Sequence, residues 1–155
     1  MIVMTTGHRP QRLQGKEKEI SEWYAATLAS LQPEVCISGM AMGADQIFAI
    51  AVMNTDADLW CYFPYKRKHY HPQEEFILDH AVSRKYFFKS YDKRSYYVRD
   101  KAMVDDSDVV LAVYDGIPAG GTYATIEYAK SKGKQIIYFP NLGYTDSSLS
   151  TKEAN

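Results

Sequence analysis

The sequence predicts a single α/β domain with a mostly parallel sheet and helices on both faces, and three observations predict it. The chain has 155 residues, which suffices for one domain with a hydrophobic core and is too short for two ordinary ones. Its composition, 46% hydrophobic and 24% charged, is typical of a globular protein. Short apolar runs alternate along the chain with segments of helical periodicity, which is the pattern of a parallel sheet covered by helices.

The strands of this sheet are predicted at short runs rich in β-branched and aromatic residues. Five such runs occupy residues 2–6, 34–38, 58–63, 108–113 and 135–139, and a weaker one occupies residues 86–91. Helical segments lie between these runs, so the predicted fold is Rossmann-like.

Five helices are predicted between the strands. The first has its apolar residues on one continuous face, at i, i+3, i+4, i+7, i+8 and i+11: Ile20, Trp23, Tyr24, Thr27, Leu28 and Leu31. The second begins near Asp45 and is apolar on most sides as far as Val52, so we expect it to pack against both the sheet and a neighbour. The others are predicted at residues 72–82, 94–106 and 122–132.

The chain is predicted to divide into a folded domain over residues 1–140 and a polar tail over residues 141–155. After Pro140 the sequence becomes small and polar, and terminal segments of this composition are poorly ordered unless something holds them. We therefore expect the tail to fray.

Composition and charge argue against several classes of protein. The net charge of -1 disfavours a surface wholly devoted to a nucleic-acid backbone. No apolar run approaches the roughly 18 residues that span a bilayer, and the N-terminus lacks an export signal, so we expect a cytoplasmic protein without a membrane partner. Cys36 and Cys61 lie in predicted buried strands without zinc-site spacing, and His69 and His71 are isolated, so we expect neither a metal nor a cofactor.

Polar, glycine-rich loops follow the predicted strands. In open α/β sheets, ligands bind beyond the carboxyl ends of the strands, so the residues just after each strand are the candidate ligand contacts. They are Thr6, Gly7, His8 and Arg9 after the first strand; Ser38, Gly39, Met40, Gly43 and Asp45 after the second; Tyr65 and Lys66 after the third; and Asp115, Gly116, Gly120, Gly121 and Thr122 before the last helix.

The glycines in these turns favour a phosphate-bearing ligand. Glycine lets the backbone approach a phosphate closely, and the following helix offers free N–H groups and a positive dipole end. We expect Gly120 and Gly121 to present such groups, with a positive φ at Gly121. The alternative interpretation is that the glycines only permit tight turns. Neither turn is a P-loop or a G-x-G-x-x-G dinucleotide motif, so ATP hydrolysis and NAD binding are disfavoured.

Charged residues near these turns are candidates for binding and catalysis. Arg9 can bind a phosphate, and Arg99 can reach the site if the helix face it shares with Tyr96 and Met103 meets the sheet edge. Glu127 and Asp115 can serve as acids or bases if they point inward, although Glu127 equally fits a solvent-exposed position near Lys130.

Four blocks of the sequence together resemble the SLOG superfamily, and its YpsA-type branch most closely. They are TGHRP (6–10), SGMAMGADQ (38–46), VRDKAMVDDSDVVLAVYDG (98–116) and GGTYATIEYA (120–129). The superfamily includes the Lonely Guy phosphoribohydrolases and the DNA-processing protein DprA. The resemblance implies a Rossmann-like domain with a nucleotide-type ligand over the sheet edge.

The Lonely Guy enzymes carry a P-G-G-x-G-T-x-x-E motif and an upstream arginine that cleave the N-glycosidic bond of a nucleoside monophosphate. The matching stretch here is PAGGTYATIE, and Arg99 resembles the upstream arginine in position. Counting from Thr122, the enzymes' glutamate position is occupied by Thr125, and Glu127 lies two residues later, roughly 200° further round the helix.

Three functions remain open at this point. The favoured one is a protein that senses or sequesters a phosphate-bearing nucleotide. The second is a phosphoribohydrolase with Glu127, Asp115 and Arg99 as catalytic residues. The third, less favoured, is DprA-like binding of single-stranded DNA through residues 66–71 and surface tyrosines. We also expect a homodimer or larger assembly, because the tyrosine-rich helices and the apolar second helix offer more apolar surface than one small sheet covers.

Overall fold

A computed structural model describes residues 1–144 of the chain, and within them the backbone forms a six-stranded parallel sheet. The strands are β1 (Ile2–Gly7), β2 (Val35–Ser38), β3 (Asp58–Tyr65), β4 (Ser83–Phe88), β5 (Val109–Val113) and β6 (Gln135–Tyr138). Their order in the sheet is β4-β3-β2-β1-β5-β6, and every neighbouring pair runs parallel. The predicted α/β class and parallel sheet are confirmed.

Helices cover both faces of this sheet. They are α1 (Glu17–Leu31), α2 (Ala44–Met53), α3 (Pro72–Leu78), α4 (Ser95–Asp106) and α5 (Gly121–Ser131). Helices α1, α2 and α3 share a hydrophobic core on one face, and α4 and α5 pack on the other. No helix within residues 1–144 is both long and apolar enough to cross a bilayer.

Helix α2 packs against the sheet and against both α1 and α3, as its apolar sequence predicts. Its large apolar residue Phe48 is fully buried in this core. Most of the apolar surface of α2 is therefore covered within the chain, whereas Ile47, Ile50 and Met53 are half-buried. The oligomeric state stays a prediction.

Strand β5 lies between β1 and β6, and all of its residues are buried. Leu111 faces the core beneath α1, α2 and α3, whereas Val110 faces the opposite core beneath α4 and α5. Strands buried on both faces have near-continuous apolar sequences, which is why this strand was evident in the sequence.

The order of the strands reverses at β1. Strands β2, β3 and β4 extend from one side of it, and β5 and β6 extend from the other. In open α/β sheets, the crevice outside the carboxyl ends of the strands at such a reversal is the usual place for a ligand. The loops that follow β1 and β5 meet at this point.

The third helix and the weakest strand differ from the prediction. Helix α3 ends at Leu78 rather than at residue 82, because the N–H of Val82 donates to the carbonyl of Leu59 at 2.9 Å and so joins the sheet. Strand β4 spans Ser83–Phe88 rather than residues 86–91. It lies at the sheet edge with its first three residues exposed, and edge strands with polar residues lack the apolar signal of a central strand.

The residues that follow Pro140 include contacts with the domain. Leu142 is fully buried, and the ring of Tyr144 packs against Tyr114 at a centroid distance of 5.0 Å. The predicted boundary at residue 140 stays a prediction, and residues 145–155 of the predicted tail lie outside the described residues.

Candidate functional site

A cavity of about 430 Å³ opens where β1 ends, beneath α4 and α5, and we call it the main cavity. Eight residues predicted as site residues line it: Thr6, Gly7, His8, Arg9, Asp45, Arg99, Gly121 and Thr122. They come from the end of β1 and the loop after it, and from helices α2, α4 and α5. The structure therefore brings together residues from four separate segments of the sequence.

A second cavity of about 210 Å³ adjoins the first, and we call it the side cavity. The two cavities share Arg9, Ala41, Tyr96 and Arg99. The side cavity is lined by three further predicted residues, Gly39, Met40 and Tyr65, and by the aromatic ring of Phe63.

The remaining predicted residues line neither cavity: Ser38, Gly43, Lys66, Asp115, Gly116, Gly120 and Glu127. Ser38 holds the turn after β2, because its Oγ donates to the carbonyl of Asp45 at 2.9 Å and accepts from the N–H of Met40 at 3.1 Å. The ammonium group of Lys66 lies 5.8 Å from the ring centroid of Tyr86. Gly116 faces Tyr144.

Asp115 connects the loop after β5 to the loop after β1. Its carboxylate accepts hydrogen bonds from Arg12 Nε at 2.9 Å and Nη2 at 2.7 Å, and from the N–H of Ile117 at 3.0 Å. Burial opposes ionisation, but these donors and nearby His8 outweigh it and lower the pKa of Asp115 to about 2. The geometry therefore gives this carboxylate a structural role.

The imidazole of His8 lies against both the backbone and the carboxylate of Asp115. Its Nε2 accepts a hydrogen bond from the N–H of Asp115 at 3.1 Å, and burial lowers the pKa of the imidazole below its usual value. The same Nε2 lies 3.1 Å from Oδ1 of Asp115, and this carboxylate partly opposes the lowering of the pKa.

Glu127 lies on the outer side of α5. Its side chain is 49% exposed and pairs with Lys130 at 3.6 Å. Thr125, which stands at the glutamate position of the Lonely Guy motif, does line the main cavity, and its hydroxyl donates to the carbonyl of Gly121 at 2.9 Å. The hydroxyl of Thr125 is thus bonded within α5.

Arg99 is buried between the two cavities. Its Nη1 donates to the carbonyl of Gly39 at 2.5 Å, and its Nε donates to the carboxylate of Asp100 at 2.6 Å. Tyr96 and Met103 line the main cavity beside it, so this face of α4 does meet the sheet edge. The Arg99 guanidinium is thus already engaged within the protein.

Arg9 is different, because it is exposed at the mouth of both cavities. Within residues 1–144, no hydrogen bond or ion pair engages its guanidinium group. Nearby, helix α5 begins at Gly121, and within residues 1–144 no side chain caps the N–H groups at its start. The site therefore combines a free cation with free backbone donors.

The two glycine-rich turns differ in structure. The turn before α5 is open to solvent, with a positive φ of 95° at Gly120. The positive φ predicted at Gly121 is wrong, because that residue is already part of the helix. The turn before α2 is closed: the N–H of Ala44 donates to the carbonyl of His8 at 3.1 Å, and a Cβ on Gly43 would lie 2.5 Å from the same oxygen.

Asp45 is the less compensated of the two carboxylates, Asp45 and Asp100, that line the main cavity. It is only 8% exposed, and its Oδ2 accepts one hydrogen bond, from the N–H of Ala41 at 3.3 Å. Burial is the main reason that its pKa is raised to about 7; Asp100 raises it further, whereas Arg99, the N–H of Ala41 and Arg9 partly oppose the shift.

The Asp45→Asn variant is expected to be more stable than the wild type at pH 8 by a few kcal/mol. Because the folded-state pKa lies above the unfolded value of 3.8, ionisation of Asp45 destabilises the fold as the pH rises from about 4 to about 7. Urea unfolding should therefore show that Asp45→Asn has a higher free energy of unfolding than the wild type at pH 8, and that this difference nearly disappears at pH 4. A gain that is equal at both values would contradict this account. Asp56→Asn, on an exposed loop, is the control and should change stability little at either pH.

Several cavity residues escaped the sequence-based prediction. Gln11 lies in a short 3₁₀ turn after β1, and Asp100 and Thr125 lie on helices. The spacing of Tyr96, Arg99, Asp100 and Met103 is i, i+3, i+4 and i+7, so helical periodicity would have found Asp100. Within residues 1–144, no group of three or more His, Cys, Asp or Glu side chains converges.

Comparison with known proteins identifies a family and several similar folds. The sequence model of the circularly permutated YpsA SLOG family matches residues 37–150. No curated protein sequence matches the chain significantly.

Three solved structures have a similar fold. DNA processing protein A of Helicobacter pylori, described for its single-stranded DNA binding mode, has a TM-score of 0.67 and 20% identity, over 99% of this chain and 72% of that one. DprA of Streptococcus pneumoniae has a TM-score of 0.63 and 16% identity, over 99% of this chain and 56% of that one. The molybdenum cofactor carrier protein of Chlamydomonas reinhardtii has a TM-score of 0.64 and 11% identity, over 99% and 82% of the two chains. At these identities the similarity is one of fold.

Proposed function

The chain belongs to the circularly permutated YpsA SLOG family, and we propose that it binds a phosphate-bearing nucleotide, or a ligand derived from one, in the main cavity. The observation that carries the proposal is the N-terminus of α5, where Gly121 and Thr122 line the cavity beside Arg9. Free N–H groups, a positive helix dipole end and an arginine are the groups that bind phosphate.

The cavity also suits the rest of such a ligand. Its volume of about 430 Å³ is in the usual range for small-molecule sites. Tyr96 lies at the boundary between the two cavities, and its half-exposed ring offers a flat face on which a base can stack. The phosphate would then lie toward α5 and the base toward the side cavity.

We propose binding rather than cleavage through Glu127 or Asp115. Neither carboxylate lines the main cavity, and each is already paired with a basic side chain, Lys130 and Arg12 respectively. A group that assists cleavage of a glycosidic bond has to lie within hydrogen-bond reach of the substrate.

Replacing Arg9 by alanine is expected to weaken nucleotide binding by about 10- to 150-fold. A charge-assisted hydrogen bond contributes about 1.5–3 kcal/mol, and the α5 donors would remain. A thermal-shift screen of nucleoside mono-, di- and triphosphates would identify the ligand, because a ligand at 100 times its Kd adds about 2.7 kcal/mol. Calorimetric titration of wild type and variant with that nucleotide then measures the effect.

The matched control is Arg84→Ala, an exposed arginine on the edge strand β4 and outside both cavities. Its nucleotide affinity should equal that of the wild type. The proposal fails if no nucleotide stabilises the wild type, or if Arg9→Ala binds as tightly as the wild type does.

A second candidate function is binding of single-stranded DNA, the ligand of the Helicobacter pylori DNA processing protein A. The supporting observation is a groove of about 230 Å³ beside the main cavity, lined by Tyr96, Tyr97, Tyr128 and Lys101. The Lys101 ammonium group lies 4.8 Å from the ring centroids of both Tyr97 and Tyr128. Aromatic rings with nearby cations bind single strands, so an affinity for oligonucleotides that falls steeply with salt would favour this function.

A further inference from the structure

We propose that Asp45 determines the ligand specificity of the main cavity by accepting a hydrogen bond from a donor group of the bound nucleotide. The inference rests on the proposed function and adds to it the chemistry of the ligand's other end. Asp45 lies at the start of α2, which follows β2, whereas the phosphate-binding end of α5 follows β5. Because β1 lies between β2 and β5, the two groups approach the cavity from opposite sides.

The hydrogen bonding of Asp45 is incomplete. Within the described part of the chain, the N–H of Ala41 is the sole hydrogen-bond donor to its carboxylate, and no basic side chain lies within ion-pair distance. Arg99 is the nearest candidate partner, but it donates to the carbonyl of Gly39 and to the carboxylate of Asp100. A carboxylate can accept about four hydrogen bonds, so most of the acceptor capacity of Asp45 is unused.

Such a carboxylate is unfavourable for the unliganded fold. Removing a carboxylate from water costs several kcal/mol unless charge pairing and hydrogen bonds replace the water. The raised pKa of Asp45 is consistent with this cost. Residues that lower the stability of the free protein are expected where function needs them, and Asp45 faces the cavity in which we place the ligand.

A nucleotide offers two kinds of donor that fit an acceptor at this position. One is a hydroxyl group of the ribose, and the other is an N–H group of the base, either an exocyclic amino group or a ring N–H. Both are neutral donors on the part of the molecule away from the phosphate, so both satisfy the carboxylate without opposing the Arg9 and α5 contacts. A magnesium ion held between Asp45 and the phosphate is a different chemistry, and the experiment separates it.

The test is calorimetric titration of wild type and Asp45→Asn at pH 8. The probes are AMP, GMP, CMP and UMP, with IMP as the purine that lacks both amino groups and with the 2′,3′-dideoxy form of each nucleotide. Asparagine keeps the size of the side chain and removes its charge, so a variant that is stable at pH 8 reports on binding rather than on folding. Asp56→Asn is the matched control, with the same chemical change on an exposed loop.

We expect Asp45→Asn to lose about tenfold in affinity for a nucleotide that carries the donor group. For the analogue that lacks this group, the affinity of the variant should equal that of the wild type. If the insensitive analogue is the dideoxy form, the donor is a ribose hydroxyl. If it is IMP or UMP, the donor is a base amino group, and if it is AMP or CMP, the donor is a ring N–H. Asp56→Asn should behave as the wild type in every titration.

Three outcomes would overturn the inference. An equal loss for every probe would mean that Asp45 acts only on the shape of the cavity, and no loss would mean that it contacts no ligand. A difference in affinity between wild type and Asp45→Asn that appears with magnesium and disappears in EDTA would mean that Asp45 binds a cation. A wild type that binds none of the nucleotides is a separate result, because it removes the proposed function itself.

Discussion

Gly43→Ala is expected to destabilise the fold by at least about 3 kcal/mol, the largest effect on stability that we predict. Gly43 has φ 98° and ψ -131°, a backbone conformation open essentially to glycine alone, and this strain costs about 1–3 kcal/mol in another residue. In addition, a Cβ there would lie 2.5 Å from the carbonyl oxygen of His8 and 2.9 Å from the Cα of Arg9. Both neighbours are backbone atoms, so relief requires a shift of the chain. Urea unfolding measures the loss.

Gly133→Ala is the matched control for this prediction. Gly133 also has a positive φ, of 68°, but a Cβ there meets no atom within 4 Å. Its substitution should therefore cost only the conformational penalty of about 1–2 kcal/mol. If Gly43→Ala loses no more stability than Gly133→Ala, the close contact between the turn before α2 and the loop after β1 is not important for the fold.

Gly121→Val is expected to lower nucleotide affinity at least about 100-fold while the protein stays folded. Gly121 is the first residue of α5, a Cβ there meets no atom within 4 Å, and the residue lines the main cavity. The methyl groups of valine would therefore occupy the space in which we place the phosphate, without disturbing the sheet. A loss of about 2.7 kcal/mol corresponds to this change in affinity. Circular dichroism checks the fold, and calorimetric titration with the screened nucleotide checks binding.

Ala119→Val is the control for this substitution. Ala119 lies two residues earlier, is exposed and lines neither cavity, so valine there should leave the affinity unchanged. A folded Gly121→Val protein that binds the nucleotide as tightly as the wild type would place the phosphate elsewhere and remove the main support for the proposed function.

The parallel sheet and the side of it that holds the cavity could be predicted from the sequence. Apolar runs such as 108–113 are long and uninterrupted because β5 is buried on both faces, and this pattern is visible without knowledge of the strand's neighbours. Parallel strands direct their carboxyl ends to one edge, so the loop that contains Arg9 and the start of the helix that contains Gly121 had to meet there. Helical periodicity placed Tyr96, Arg99 and Met103 on one face of α4, and all three line the main cavity.

Tertiary contacts alone decided what each of these residues does. Gly43 and Gly121 belong to similar glycine-rich stretches of the sequence. Gly43 is packed against the backbone of His8, whereas Gly121 is open to the main cavity. Asp115 lies in the loop after β5 and Asp45 lies in the first turn of α2, both at the same edge of the sheet. Arg12 lowers the pKa of Asp115, whereas burial raises the pKa of Asp45. The pattern of residue types along a chain determines which segments pair and which edge they share. Ion pairs, burial and close approach depend on residues far apart in the sequence, and so only the folded chain distinguishes a structural glycine or carboxylate from one that is available to a ligand.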